Sequence, residues 1–429
     1  MSDEKKLAEQ TLDAIRRAGF DKAACRVSND ELHELQAETG EINLFRTSFE
    51  TDIALEGIEE ERRASLSVNK TDEATIGSAV NDLKTMAAGG NPDPAFDIAE
   101  EQPHESFAGG IDTPDYDAMY DRVVELQDYA HETYPTLGIR SISCTFVRRR
   151  SCFANSNDVC FETSRGMYQV GMQFSSREGT QTSSMMYTGY ATYDLDTPIR
   201  EAVNVDELLR QSTEQVSTQH IPAKFKGDLV IAPNCLTSFT GFLTARIADG
   251  ALISGTSVYD DKLGEAIASD KFTLRSMPLA DDMAGGYWVT GDGYKAEDLT
   301  IVEKGVLKSY LLGLYGANKL GRPRAVNSGG AYVVDAGEAS YEDLIRSVGE
   351  GILITRFSGG RPNDRGDFSG VAKNSYYIKD GKVQFPIKET TVSGNMVELL
   401  QNIDAVSSER LNFGNSLLPW VKVSGITAS

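Results

Sequence analysis

Two runs in the second half of the chain break at a two-residue turn: LTIVEKGVLKSYLLG (Leu299–Gly313), at Lys304-Gly305, and NSYYIKDGKVQFPI (Asn374–Ile387), at Asp380-Gly381. A two-residue hairpin turn of type I′ holds both central residues at positive φ, and Asn-Gly, Asp-Gly and similar pairs accept that backbone at least cost. Each run therefore predicts an antiparallel hairpin. Between them SYEDLIRSVGEGILITRF reads as helix, glycine stop and strand, and TTVSGNMVELLQNIDAVSS reads as a helix with Met396, Leu399, Leu400 and Ile403 on one face.

The first half has another texture. DEKKLAEQTLDAIRRAGFD reads as an amphipathic helix, with strand-like runs after it and a turn at Gly40 in ETGEI. A second helix, DEATIGSAVNDLKTMAAGG, ends at a glycine pair, and NPDPAFDIAEEQPHESFAGGIDTPD reads as a proline-rich connector without periodicity. The order then recurs from YDAMYDRVVELQDYAHETYPTLG onward. Phe45–Glu50 and Phe161–Gly166 fall at matching places in the two units, which predicts an internal duplication. The fold class is α+β: a mixed α/β N-terminal domain of helix-then-strands units over 1–218, then a β-rich C-terminal domain over 219–429.

Charge and chemistry-bearing residues exclude several functions. A net charge of −22 repels polyphosphates, so nucleic acid is not an expected partner, and the arginines of VRRRS (Val147–Ser151) read as the wet face of a strand. No apolar run is long enough to cross a bilayer and MSDEKKLAEQ lacks the apolar core of a signal peptide, so the expectation is a cytoplasmic protein without a membrane partner. The cysteines (Cys25, Cys144, Cys152, Cys160, Cys235) form no CxxC pair, and no second histidine follows His131 by one turn. No nucleophile elbow or P-loop is present. WVTGDGYKAED mimics a dinucleotide fingerprint, but a hairpin follows it where a long helix would be required.

GTSVY (Gly255–Tyr259), the Leu299–Gly321 run, GEGILITRFSGG (Gly349–Gly360), the Gly366–Ile403 run beginning GDFSG, and SLLPWVKVSG (Ser416–Gly425) together resemble the TldD/PmbA family, known as modulators of DNA gyrase and as metallopeptidases. The resemblance spans nearly the whole chain. In the family's TldD branch, the helix after a strand carries H-E-x-x-x-H and a cysteine near the C-terminus completes a zinc site. Here the helix is NCLTSFTGFLTARIADG (Asn234–Gly250), and counting back from GTSVY puts the two histidine positions at Thr240 and Ala245 and the glutamate at Gly241. No cysteine follows Cys235, and FGNSLLPW fills the place of the thiolate. A methyl and a hydroxyl cannot hold zinc.

The chain accordingly resembles the PmbA branch, also called TldE. The resemblance implies a pseudo-protease subunit with no catalytic residue and no metal of its own, which holds unfolded peptide for proteolysis by a TldD-like H-E-x-x-x-H partner that carries the zinc. The alternative is a homodimeric peptide- or protein-binding module without proteolytic activity. Gly241 and Ala245 either face a partner chain or pack within this one. Asp367, Phe368, Ser369 and Asn374 are candidate peptide contacts, because a glycine-bounded polar loop leads there into a long hairpin; a turn cap is the competing role for Asp367.

Overall fold

Three helices of the N-terminal half begin where a small polar side chain accepts a hydrogen bond from a free backbone N–H: Ser2 before α1 (Asp3–Arg17), Asp72 before α2 (Glu73–Gly89) and Asp115 before α3 (Tyr116–Thr133). α1 adds Asp3 and Glu4 in its first turn and Arg16 and Arg17 in its last, both favourable to the helix dipole. The computed structural model describes residues 2–429.

The first sheet holds β1 (Lys22–Glu38), β2 (Glu41–Glu59), β3 (Arg62–Val68), β4 (Glu105–Gly110), β5 (Leu137–Asn155), β6 (Cys160–Glu178), β7 (Gln181–Thr182) and β8 (Met186–Thr192). Its order is β3-β2-β1-β5-β6-β4, with β7 and β8 also paired to β6. The predicted turn at Gly40 joins β1 to β2, with Thr39 and Gly40 at φ of 50° and 91°. α1, β1, β2, β3 and α2 form one unit; α3, β5, β6, β8 and α4 (Val205–Glu214) form a second. The two meet at the antiparallel β1–β5 pair, so the sheet has an approximate two-fold arrangement, and the matched segments lie on β2 and β6. Successive side chains alternate between faces. Cys25, Val27, Cys152 and Ala154 face α1 and α2, while Cys144, Phe146, Val170 and Met172 face α3 and α4. Arg26, Phe153 and Phe161 point the other way, toward Trp288 and Val289.

The second sheet is built from β9 (Phe225–Ile231), β10 (Leu274–Ser276), β11 (Leu299–Glu303), β12 (Val306–Leu307), β13 (Tyr332–Val334), β14 (Glu350–Ile354), β15 (Arg356–Ser358), β16 (Asp367–Lys373), β17 (Tyr376–Lys379), β18 (Lys382–Pro386), β19 (Thr390–Asn395), β20 (Ile403–Asn412) and β21 (Ser416–Ala428). Both predicted hairpins form: Lys304-Gly305 turns β11 into β12 and Asp380-Gly381 turns β17 into β18, all four residues at positive φ. The helices are α5 (Pro233–Arg246), α6 (Asp249–Ile253), α7 (Leu314–Leu320), α8 (Tyr341–Arg346) and α9 (Met396–Gln401). α5 packs Leu236, Phe239 and Leu243 into the main core against β21 and its neighbours.

Two segments depart from the sequence reading. The connector before α3 contains β4, which runs parallel to β6 and pairs Glu105–Gly110 with Phe161–Gly166. The helix expected across TTVSGNMVELLQNIDAVSS is confined to Met396–Gln401; β-branched Thr390–Val392 join β16, and Ile403 begins β20.

Candidate functional site

α5 starts where β9 ends, with Pro233 as its first residue and Ala232 bonded to Ile354 through its N–H. Its side chains divide by helical period. Leu236, Phe239, Thr240 and Leu243 are buried, whereas Thr237, Ser238, Gly241 and Ala245 are exposed. The exposed stripe is the floor of a cleft in two connected parts. One, about 300 Å³, runs past Asn234, Thr237 and Ser238, and is closed by Tyr187 and Gly189 of β8, Arg356 and Phe357 of β15, and Phe413, Asn415 and Ser416. The other, about 330 Å³, runs past Gly241, Ala245 and Arg246, and is closed by Phe357, Gly359, Gly360, Arg361 and Met396. Ser238 and Phe357 border both.

Two strand edges frame this cleft. β15 pairs only with β16, and β8 only with β6, among the described residues. The Ala191 N–H of β8 donates to the Phe413 carbonyl at 2.9 Å and the Phe357 N–H of β15 lies on the Cys235 thiol, and the other groups of an edge without a second strand can take an added one. The polar side chains between them are incompletely bonded. Asn234 donates its amide N–H to the Thr355 carbonyl at 2.7 Å, while its Oδ1 is buried without a partner. The Arg356 Nε is likewise buried without a partner, its guanidinium lies 5.1 Å from the Tyr187 ring centroid, and it forms no ion pair among the described residues.

The predicted positions disperse over this frame. Gly241 and Ala245 line the cleft, and a Cβ on Gly241 would meet nothing within 4 Å. Thr240 points into the core, 2% exposed, and its hydroxyl donates to helix carbonyls at Leu236 and Thr237. Asp367 is exposed and holds a turn: its carboxylate accepts from the Asn395 and Asn363 amides, which lower its pKa. Phe368 is buried edge-on against Phe357 and so supports the cleft from behind. Ser369 is exposed on β16. Asn374 lies roughly 20 Å from Asp367 at ~3.3 Å per strand residue, buried, with its amide donating to the Ser184 carbonyl at 3.0 Å. The four candidate peptide contacts therefore do not converge.

The cleft's side chains do not suit zinc. Thr237, Ser238, Gly241 and Ala245 are weak ligands or none, and Arg246 and Arg356 are cationic. Cys235 is buried, which pushes its thiol up to about 12 despite the Phe357 N–H and Arg356 beside it; a ligand thiol must ionise. Among the described residues no three or more His, Cys, Asp or Glu side chains gather into a metal-holding group. The histidines lie elsewhere: His33, for example, is buried between Glu31, Thr47 and Tyr116. The FGNSLLPW segment does reach the cleft, through Phe413, Asn415 and Ser416. Arg356 and Asn234 escaped the sequence reading. The available signal was an arginine ending the apolar run GILIT.

Residues 225–429 match the PmbA/TldA metallopeptidase C-terminal domain. Metalloprotease PmbA of Escherichia coli O157:H7 is 25% identical over 433 residues, which cover 94% of this chain and 92% of that one. A metalloprotease of Methanothermobacter thermautotrophicus is 28% identical over 311 residues, covering 68% of this chain and 67% of that one. TldE from Thermococcus kodakarensis superposes with a TM-score of 0.82 at 20% identity, over 99% of this chain and 100% of its own. A Bacteroides thetaiotaomicron protein described as a modulator of DNA gyrase gives a TM-score of 0.87 at 21% identity, over 100% and 99%. At these identities the two structures speak for the fold. Residues 225–429 thus belong to the PmbA/TldA metallopeptidase C-terminal domain family, and over nearly its whole length the chain is similar in sequence and fold to TldD/PmbA proteins.

Proposed function

We propose that this chain is the non-catalytic, substrate-holding subunit of a TldD/TldE-type metalloprotease, and that it grips extended peptide in the cleft along α5. The observation that carries this reading is that β8 and β15, each paired to a single strand, both border a cleft over a helix face without a metal-holding cluster among the described residues. Strand addition uses backbone hydrogen bonds and is indifferent to most side chains, which suits an unfolded substrate. Asn234 and Arg356 would supply an acceptor and a cationic donor to the bound peptide. Cleavage would be performed by a TldD-like H-E-x-x-x-H chain carrying zinc, in the cytoplasm, with the open helix face of Gly241 and Ala245 available to that partner.

The test is to purify this chain and the H-E-x-x-x-H relative of the same genome, separately and mixed. The expected result is co-elution on size exclusion, with cleavage of unfolded casein only by the mixture and inhibition by chelator. Separate elution, with this chain as a homodimer that still binds casein, would replace the reading with a binding module. Cleavage by this chain alone would overturn it.

A further inference from the structure

On the face of the first sheet opposite its helices, strand register brings three arginines together. Arg149 of β5 stands directly opposite Arg165 of β6, and Arg26 of β1 reaches the same cavity, about 390 Å³, under the Gly285–Val289 segment. Like charges opposed across a strand pair destabilise it, so their counter-charges are the question. Arg149 has one: Asp30, opposite it on β1, accepts from its Nε at 2.7 Å. The other two have none. Arg26 gives its one side-chain hydrogen bond to the Thr290 carbonyl at 2.8 Å; the nearby Asp292 is committed to Arg324 at 2.7 Å. Arg165 reaches the Met283 and Ala284 carbonyls at 3.2 and 3.4 Å, and its Nε is buried without a partner. Burial lowers the pKa of both Arg26 and Arg165, and at Arg26 the Asp292 charge offsets only part of it.

A buried charge without a counter-ion is costly, and a bound oxyanion converts that cost into charge-assisted, fork-shaped hydrogen bonds. The remaining walls combine the hydroxyls of Ser151 and Thr163 with the apolar Val147, Met167 and Trp288, whose ring centroid lies 3.9 Å from the Arg165 guanidinium carbon. We propose that Arg26, Arg149 and Arg165 form a binding site for a small oxyanion, a carboxylate or phosphate, borne on an apolar or aromatic body. The acidic surface bars polyanions from this groove by long-range repulsion, while one small, singly or doubly charged ligand is held at short range. The site holds whether or not the chain pairs with a metalloprotease.

Titration calorimetry on the full chain at low salt, with inorganic phosphate, phenyl phosphate and benzoate as probes, tests it. Stoichiometric binding of phenyl phosphate or benzoate, tighter than inorganic phosphate and weakened by added salt, is expected; the stronger of the two names the oxyanion. Arg165→Met should weaken it by about tenfold or more, with circular dichroism of the unliganded variant showing that it still folds. Gln169→Glu, at the exposed rim of the cavity, should fold normally and compete for the arginines, giving the same loss. No binding by any probe, or affinities unchanged in both variants, would overturn the site.

Discussion

The Arg165 guanidinium carbon sits 3.9 Å from the centroid of the Trp288 ring, and this pair joins the first sheet to the C-terminal half of the chain. Trp288 also stacks on Phe107 of β4, their centroids 6.0 Å apart and their planes within 9°. Cation–π and aromatic contacts each contribute about 1 kcal/mol beyond the area they bury. Trp288→Ala is expected to lower stability by about 3 kcal/mol, read as a lower urea midpoint. A loss under ~0.5 kcal/mol would show that the two halves are joined by other contacts.

Asp292 carries a pH dependence. Burial alone would raise its pKa, but the hydrogen bonds from Arg324, Thr290 and the Leu314 N–H outweigh burial and leave it lowered. A carboxylate depressed on folding stabilises above its unfolded pKa, and that contribution fades as pH falls through the folded value. Asp292→Asn should cost roughly 3 kcal/mol at pH 7, since it leaves Arg324 unpaired, and the gap to the unmodified chain should narrow in urea titrations below ~pH 4. Glu207 has the opposite sign, its pKa raised first by burial. Glu207→Gln should therefore hold or raise stability at neutral pH, and a marked loss there would contradict that sign.

Two cleft glycines should respond oppositely to alanine. Gly241 lies mid-helix with open space where an alanine methyl would project, so Gly241→Ala should stabilise by roughly 0.5–1 kcal/mol, measured by thermal unfolding. Gly360 has φ +65° and a Cβ there would sit 2.6 Å from the Gly370 nitrogen. Gly360→Ala should cost about 2 kcal/mol and weaken anisotropy-detected binding of an unfolded peptide by displacing β15. Equal responses from the two positions would refute the contrast.

Chelation should leave the isolated chain untouched. With no cluster of three ligating side chains among the described residues and a Cys235 thiol held protonated by burial, dialysis against EDTA should not shift the melting temperature. A drop on chelation that zinc restores would reveal a site outside these expectations.

Legibility differed by range of interaction. The hairpins at Thr39-Gly40, Lys304-Gly305 and Asp380-Gly381 were readable because positive φ is a property of two neighbouring residues. The recurring helix-then-strands order was readable from periodicity. β4 was not, because ESFAGG has little strand propensity and forms only through its parallel pairing with β6. The start of α9 was not legible because Thr390–Asn395 is held by β16, a partner that local propensity cannot register. The family resemblance puts Thr240 at a zinc-motif histidine position, and the helix turns it into the core.

The sequence by itself determined that α5 carries no histidine, glutamate or aspartate, since no fold can place an imidazole or carboxylate on a helix that has none. It also determined the local turns and the main helices, whose encoding spans a few residues. Only the tertiary structure decided that β8 and β15, each with a single strand partner, border one cleft along α5, and that Arg26, Arg149 and Arg165 meet beside Trp288. Those relationships join residues far apart in the chain, and strand register and burial set them only once the whole of both sheets is assembled.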